Sequence, residues 1–239
     1  MMRASERSLK SVPVWLVLLL LLSLTSQWTV QQHLSAQFAT AKALPATPTL
    51  EVVTLASLDT PVFAAQMLML WLQSFDLQPG VSLSFKHLDY SRVEQWLGLI
   101  LRLHPRGQYP LLSASRVYAE VNDPPRQRQM LEFVAEQFEA DPGRRWPWLA
   151  HAVYVAKHRL HDQAFALSLA ERLAAHRDNL AIPSWASQMH IFVLEDMGEL
   201  ESAKVLLGGL LESGQISDPH ERWFLSKRLA ELEARLNDE

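Results

Sequence analysis

Cysteine is absent from all 239 residues. That excludes a disulfide framework, a thiolate zinc site, a cysteine nucleophile and a lipid-modified cysteine anchor. A helical chain of this size can bury a core without such cross-links. A basic surplus is also missing, since the formal charge is −4. Residues 1–32 carry Arg3, Arg7 and Lys10 against Glu6, so the remainder holds 19 basic and 25 acidic residues. A mildly acidic body argues against general affinity for phosphate backbones, and no nucleic-acid partner is expected. The sequence contains no HExxH, GxSxG, GxGxxG or phosphate-binding loop. Apart from 52–55 and 81–85 it shows no alternating apolar run of the kind a strand needs. No catalytic residue, cofactor or metal is therefore expected.

What the sequence does contain begins with an uncharged run from Ser11 to Gln32, centred on Val14-Trp15-Leu16-Val17-Leu18-Leu19-Leu20-Leu21-Leu22. A helix of roughly 20 apolar residues crosses a bilayer. Trp15 and Trp28 stand near the ends, where interfacial anchors belong. A cleaved signal peptide is the rival reading. Its site would be the poor match Ser23-Leu24-Thr25-Ser26-Gln27-Trp28, and the better match Ala39-Thr40-Ala41 lies too far downstream, so an uncleaved signal anchor is favoured. Arg3, Arg7 and Lys10 then put the N-terminus in the cytoplasm and the body outside. In a bacterium that means a single-pass inner-membrane protein with a periplasmic body.

The expected organisation is a cytoplasmic segment 1–10, a bilayer-spanning segment 11–32, a linker 33–58, a helical-repeat domain 59–217 and a capping helix 218–239. Pro45 and Pro48 mark the linker, with Val52-Val53-Thr54-Leu55 as a short extended piece. Residues 61–75 are apolar almost all round, which predicts a buried core helix. Helices are predicted at 89–103, 109–121, 125–139, 146–159, 162–176, 184–196, 200–213 and 219–236. Proline, glycine and aspartate punctuate them, and the short connections make neighbours antiparallel. At the last helix, Asp218, Pro219 and Glu221 form a capping arrangement. Leu225, Leu229, Leu232 and Leu236 make its apolar stripe. Gly208-Gly209 reads as close helix packing or a kink.

An internal repeat is legible. Pro105, Tyr109-Pro110, Leu112, Ser115 and Tyr118 recur 37 residues later as Pro142, Trp146-Pro147, Leu149, Ala152 and Val155. A less regular copy starts at Pro183 with Trp185. Such periods, with two helices each, mark an α-solenoid. Over roughly 105–213 the chain resembles the tetratricopeptide repeat family. Trp148 and Ala152 take the places of the aromatic and small residues of the first helix, and Ala164 that of the small residue of the second. Gly198 and Ala203 match the turn glycine and the alanine five residues on. The first copy departs from the pattern, with Gln127 where the alanine belongs, and the third needs an insertion. The resemblance implies an all-α stack of antiparallel helix pairs whose first helices line a concave face.

In that register Tyr109, Trp146 and Trp185 are equivalent, and would form an aromatic ladder one repeat apart. Arg116, Glu120, Lys157, Gln188 and Glu195 fall on or near the same face. The competing reading makes each aromatic a hydrophobic staple onto its own helix. Trp71, Trp96 and Trp223 are assigned to the core. His151, His158, His161 and Asp162 form the best metal-ligand grouping, but Lys157 and Arg159 would repel a cation, so solvated or helix-end histidines are expected. Arg144-Arg145 before Trp146 could stack a base or hold an acidic peptide. As a loop facing water the pair needs no such role. The leading expectation is a membrane-tethered scaffold binding a protein or peptide outside the cytoplasmic membrane. The alternative is an assembly factor or accessory subunit of a larger membrane complex, packing through helix 61–75. A metal-dependent enzyme is the remote third class.

Overall fold

A computed structural model describes residues 13–33, 43–75, 77–78, 81–82, 87–214 and 216–237. The basic start Arg3, Arg7 and Lys10 and linker residues 34–42 lie outside them. The described part is helical, with a single pair of two-residue strands, β1 (Leu77–Gln78) and β2 (Val81–Ser82).

Helix α1 (Val14–His33) lies outside the unit that holds the other helices. Its stretch Val14–Gln32 is long and apolar enough to cross a membrane, and none of it is buried within the protein. Ser23, Thr25 and Thr29 return their hydroxyls to carbonyls one turn back, so they cost the helix no exposed donor.

The second unit begins at Ala43. Leu44 is buried, its carbonyl accepts from Arg92, and the Pro45 carbonyl accepts from Trp96 Nε1 at 3.0 Å. The end of the expected linker is thus fixed to the body. Residues 50–56 are not extended but form α2 (Leu50–Ala56). Among the described residues no strand pairs with this segment. Thr54 satisfies its hydroxyl on the Leu50 carbonyl, and Leu50 and Val53 pack on the core, so tertiary contact overrides β-branched propensity.

Helix α3 (Pro61–Ser74) corrects a second expectation. It is not buried all round. Ala65, Met69 and Leu72 face the core, while Val62, Phe63, Met67 and Leu70 are exposed. It packs mainly on α4 (Tyr90–Leu103) and α2, and among the described residues no element covers its exposed side.

From α4 onward each helix packs on the next: α5 (Tyr109–Arg116), α6 (Pro124–Phe138), α7 (Pro142–His158) and α8 (Gln163–Ala175). After the short α9 (Ser184–Ser187), α10 (Met189–Asp196), α11 (Leu200–Glu212) and α12 (Pro219–Asn237) complete the chain. Asp89, Asp123 and Asp162 cap α4, α6 and α8 by accepting backbone N–H groups of the first turn. At α12, Asp218 caps the His220 N–H, but Glu221 does not close a capping box. It accepts instead from Gln188 at 2.6 Å. Gly198 ends α10 at φ 82, a conformation that excludes most side chains.

Helices also pack on the next but one, α4 on α6, α5 on α7 and α8 on α10. Polar links between elements recur at nearly constant separation. Gln129–Glu94, Arg128–Asp162, His176–Glu139, Gln73–Tyr109, Trp148–Gln108 and Gln188–Glu221 join residues 33 to 40 apart. One core runs from Leu44 to Val193, and a smaller one joins Ile191, Leu200, Ala203, Leu207, Ile216, Leu225 and Leu232.

Several boundaries and burials depart from the sequence reading. Helix α7 starts at Pro142, so Arg144 and Arg145 are helical rather than in a loop. Arg145 is buried and donates to the Gln137 and Pro105 carbonyls, while Arg144 pairs with Asp141 at 2.8 Å. The segment expected at 109–121 breaks at Val117. Beyond the break the Tyr118 carbonyl accepts from the Tyr90 hydroxyl at 3.0 Å. Ala164 is exposed, and Ala166 and Ala170 are the buried small residues of α8. Trp96 is buried and Trp71 packs on it, as expected, but Trp223 is exposed beneath Lys227. Nothing lies within 4 Å of a side chain built at Gly208 or Gly209, so these glycines serve no close packing.

Candidate functional site

The three aromatics sit at or near helix starts, and the structure treats them differently. Tyr109 opens α5 and is 47% exposed. Its hydroxyl accepts from Gln73 Nε2 of α3 at 2.7 Å. Trp146 lies in the second turn of α7, half-buried against the core. Trp185 of α9 is 54% exposed and meets the Trp146 ring edge to face at 5.4 Å, a favoured aromatic geometry. Tyr109 does not join that ring pair among the described contacts. The α5–α7 step is made next to them, by Trp148 Nε1 donating to Gln108 Oε1 at 2.6 Å. Three links therefore run in chain order from Gln73 to Tyr109, from Gln108 to Trp148, and from Trp146 to Trp185.

Tyr109 borders a cleft of about 420 Å³ lined by Ala65, Met69 and Leu70 of α3 with Ile100, His104 and Pro110. Gly107 shapes the loop below it. A Cβ there would lie 2.8 Å from the His104 ring and 3.0 Å from its carbonyl oxygen. The lining is mainly apolar, which suits a side chain or an acyl group more than a charged metabolite.

The polar candidates separate into open and closed. Arg116 is exposed at the end of α5. Glu120 is exposed and pairs with Arg159 at 3.1 Å. Lys157 is occupied by an ion pair with Asp196. Gln188 and Glu195 are buried. Gln188 is engaged by Glu221, and Glu195 accepts from Arg228 and from Arg235 at 2.7 Å. Both are removed from the ligand-facing set, because α12 covers them. The sequence carried no local sign of this, since their partners lie 33 to 40 residues on.

Among the described residues no three histidine, aspartate or glutamate side chains converge as a metal site. His151 and His158 instead flank Tyr154, whose ring stacks 6.0 Å from His151 and lies tilted 4.7 Å from His158. Burial holds His151 below its usual pKa, and Arg116 adds to that, against an opposing pull from Glu120. The sequence does not mark Gln73 or Gln108 as site residues, and it gives helix 61–75 as core or, in the accessory-subunit alternative, as a packing element. Polar residues paired between helices far apart in the chain leave no local pattern, and an apolar residue reads as core until its neighbours are known. Comparison of the chain with protein-family models, with curated proteins and with solved structures found no match.

Proposed function

We propose that this chain is a membrane-tethered helical-repeat scaffold that holds a protein or peptide partner along the surface bearing Tyr109, Trp146 and Trp185. The observation that carries the reading is the exposure of Tyr109, which borders an apolar cleft, and of Trp185. Large aromatics held on rigid helix starts lose little entropy on binding, and aromatic residues dominate interface hot spots. The cross-links at 33 to 40 residues support a tetratricopeptide-like stack, with α3, α5, α7 and α9–α10 presenting equivalent positions. Arg116 offers a cation at the edge of the surface. Helix α1 supplies the tether, and the basic N-terminal flank puts the body outside the cytoplasm.

The test is photo-cross-linking in membranes of the full-length chain, with a photoreactive residue at position 109 or 185 and a control at exposed Glu201. The reading expects one discrete polypeptide adduct from both positions and none from 201. An identical pattern at 201, or no adduct from either position, would sink it.

A further inference from the structure

The exposed side of α3 does not stand alone. It continues through the turn Ser57–Thr60 into α2, which meets α3 at 107°. Around this corner Val52, Leu55, Leu58, Phe63, Met67 and Leu70 are all exposed, Leu55 at 81% and Leu58 at 86%. Glu51 and Asp59 are the only charges between Ala43 and Phe75. Leu58 and Asp59 both hold positive φ, 48 and 63. A leucine in the left-handed region is unfavourable, and here that backbone does not bury the side chain but holds it at the tip of the corner. The two helices together are apolar enough to pass as a membrane span, yet the bend prevents a straight crossing.

We propose that the α2–α3 corner is an interfacial membrane-docking element, with Leu55, Leu58, Phe63 and Met67 inserted into the headgroup–acyl boundary of the bilayer that α1 crosses. This rests on the tether reading given above. Chain length selects the occupant. Ala43 follows His33 by ten peptide steps, which at full extension span at most about 36 Å. Leu44 and Pro45 are then fixed to the body, and α2 begins five residues beyond Pro45. The corner therefore holds the first helix after the span, and the short tether leaves the bilayer surface within its reach. A corner with no basic residue and exposed apolar side chains favours insertion over attraction to anionic headgroups. The element would also orient the surface bearing Tyr109 and Trp185 relative to the membrane.

The absence of cysteine makes the test direct. Single variants Leu58→Cys, Phe63→Cys and Met67→Cys of the full-length chain are labelled with a nitroxide and reconstituted in phosphatidylcholine vesicles. Leu180→Cys and Glu201→Cys are the solvent controls, and Leu20→Cys reports on α1. Collision with oxygen, which partitions into lipid, is compared with collision with a water-soluble nickel chelate. The oxygen-to-nickel ratio is expected to be severalfold higher at 58, 63 and 67 than at 180 and 201. Nickel access at 58, 63 and 67 equal to the controls, with 20 shielded, overturns the docking element and leaves the tether intact. Access at 20 as well overturns the tether with it. Shielding at 58, 63 and 67 in native membranes but not in vesicles assigns the corner to another protein and also overturns the proposal. The three positions are read independently, each with a circular-dichroism check of the fold.

Discussion

Arg228 of α12 grips Glu195 of α10 with both sides of its guanidinium, Nε reaching Oε2 at 2.9 Å and the second nitrogen bonding Oε1. Glu195 is 5% exposed, so its carboxylate has given up water for these donors and for Arg235. The arrangement closes the C-terminal end of the helix stack. The bonds also hold the Arg228 guanidinium above its ordinary pKa, led by Glu231 and then Glu195. Replacing Glu195 with Ala should lower stability by about 1–3 kcal/mol, less than a fully buried pair because the arginines reach water. Urea denaturation measures it, and Arg228→Ala should cost a comparable amount. An unchanged midpoint in both variants would show that α12 is held by Leu225 and Leu232 alone.

Ala203 is fully buried between α11 and its neighbours, whereas Ala164 is exposed. Ala203→Leu should therefore overpack the pair and cost about 1–3 kcal/mol. Ala164→Leu should stay within about 0.5 kcal/mol, as surface changes usually do. The pair of midpoints reads the register of the two helices, and equal losses at both positions would contradict the placement of α8.

Acid should weaken the fold before the carboxylates titrate. Burial depresses the pKa of His190, outweighing its bond to the Ser187 carbonyl, and burial with Arg116 depresses that of His151. The unfolded chain takes up these protons near the ordinary value of 6.5, ahead of the folded one. The associated stability is present above that value and is lost as pH falls below it toward the depressed folded values. The denaturation midpoint should fall between about pH 7.5 and 5.5, above the carboxylate range. His190→Gln should flatten the fall, and a flat profile in the unaltered chain would refute it.

The positive N-terminal flank makes topology testable. A reporter active only outside the cytoplasm, fused after Glu239, should be active, and the mature chain should retain its own N-terminus. A chain beginning near residue 26 or 42 would identify the first helix as a cleaved signal instead of an anchor.

Helix starts are legible because capping aspartates and first-turn prolines specify them through local chemistry. That signal located α3, α4, α6, α8 and α12 within a few residues. Exposure was not legible. Phe63 and Met67 read as core because hydrophobicity says what avoids water, not whether a neighbour is present. Gln188 and Glu195 read as surface because their partners Glu221 and Arg228 lie 33 residues further along the chain, in α12. The sequence points to Ala164 where the structure buries Ala166, because an alanine-rich helix offers several equivalent registers and only packing chooses among them.

The three aromatics give the sharpest separation between folding and binding. Trp146 packs on the core and supports the edge of Trp185, so its removal empties a partly enclosed site. Trp146→Ala should cost about 1–3 kcal/mol, below the 3–5 kcal/mol of a fully buried tryptophan. Trp185 loses the other half of the same ring contact but is more than half exposed. Trp185→Ala should therefore cost no more than about 1 kcal/mol, the worth of one aromatic pair. Tyr109→Ala removes one hydrogen bond to Gln73 and should also cost about 1 kcal/mol. Partner capture should follow the opposite order, falling most in the Trp185 and Tyr109 variants, whose folds stay close to intact. Denaturation midpoints and cross-link yield measured on the same three proteins decide it. If capture falls only in proportion to lost stability, the exposed rings contact no partner, and the recognition surface lies elsewhere on the chain.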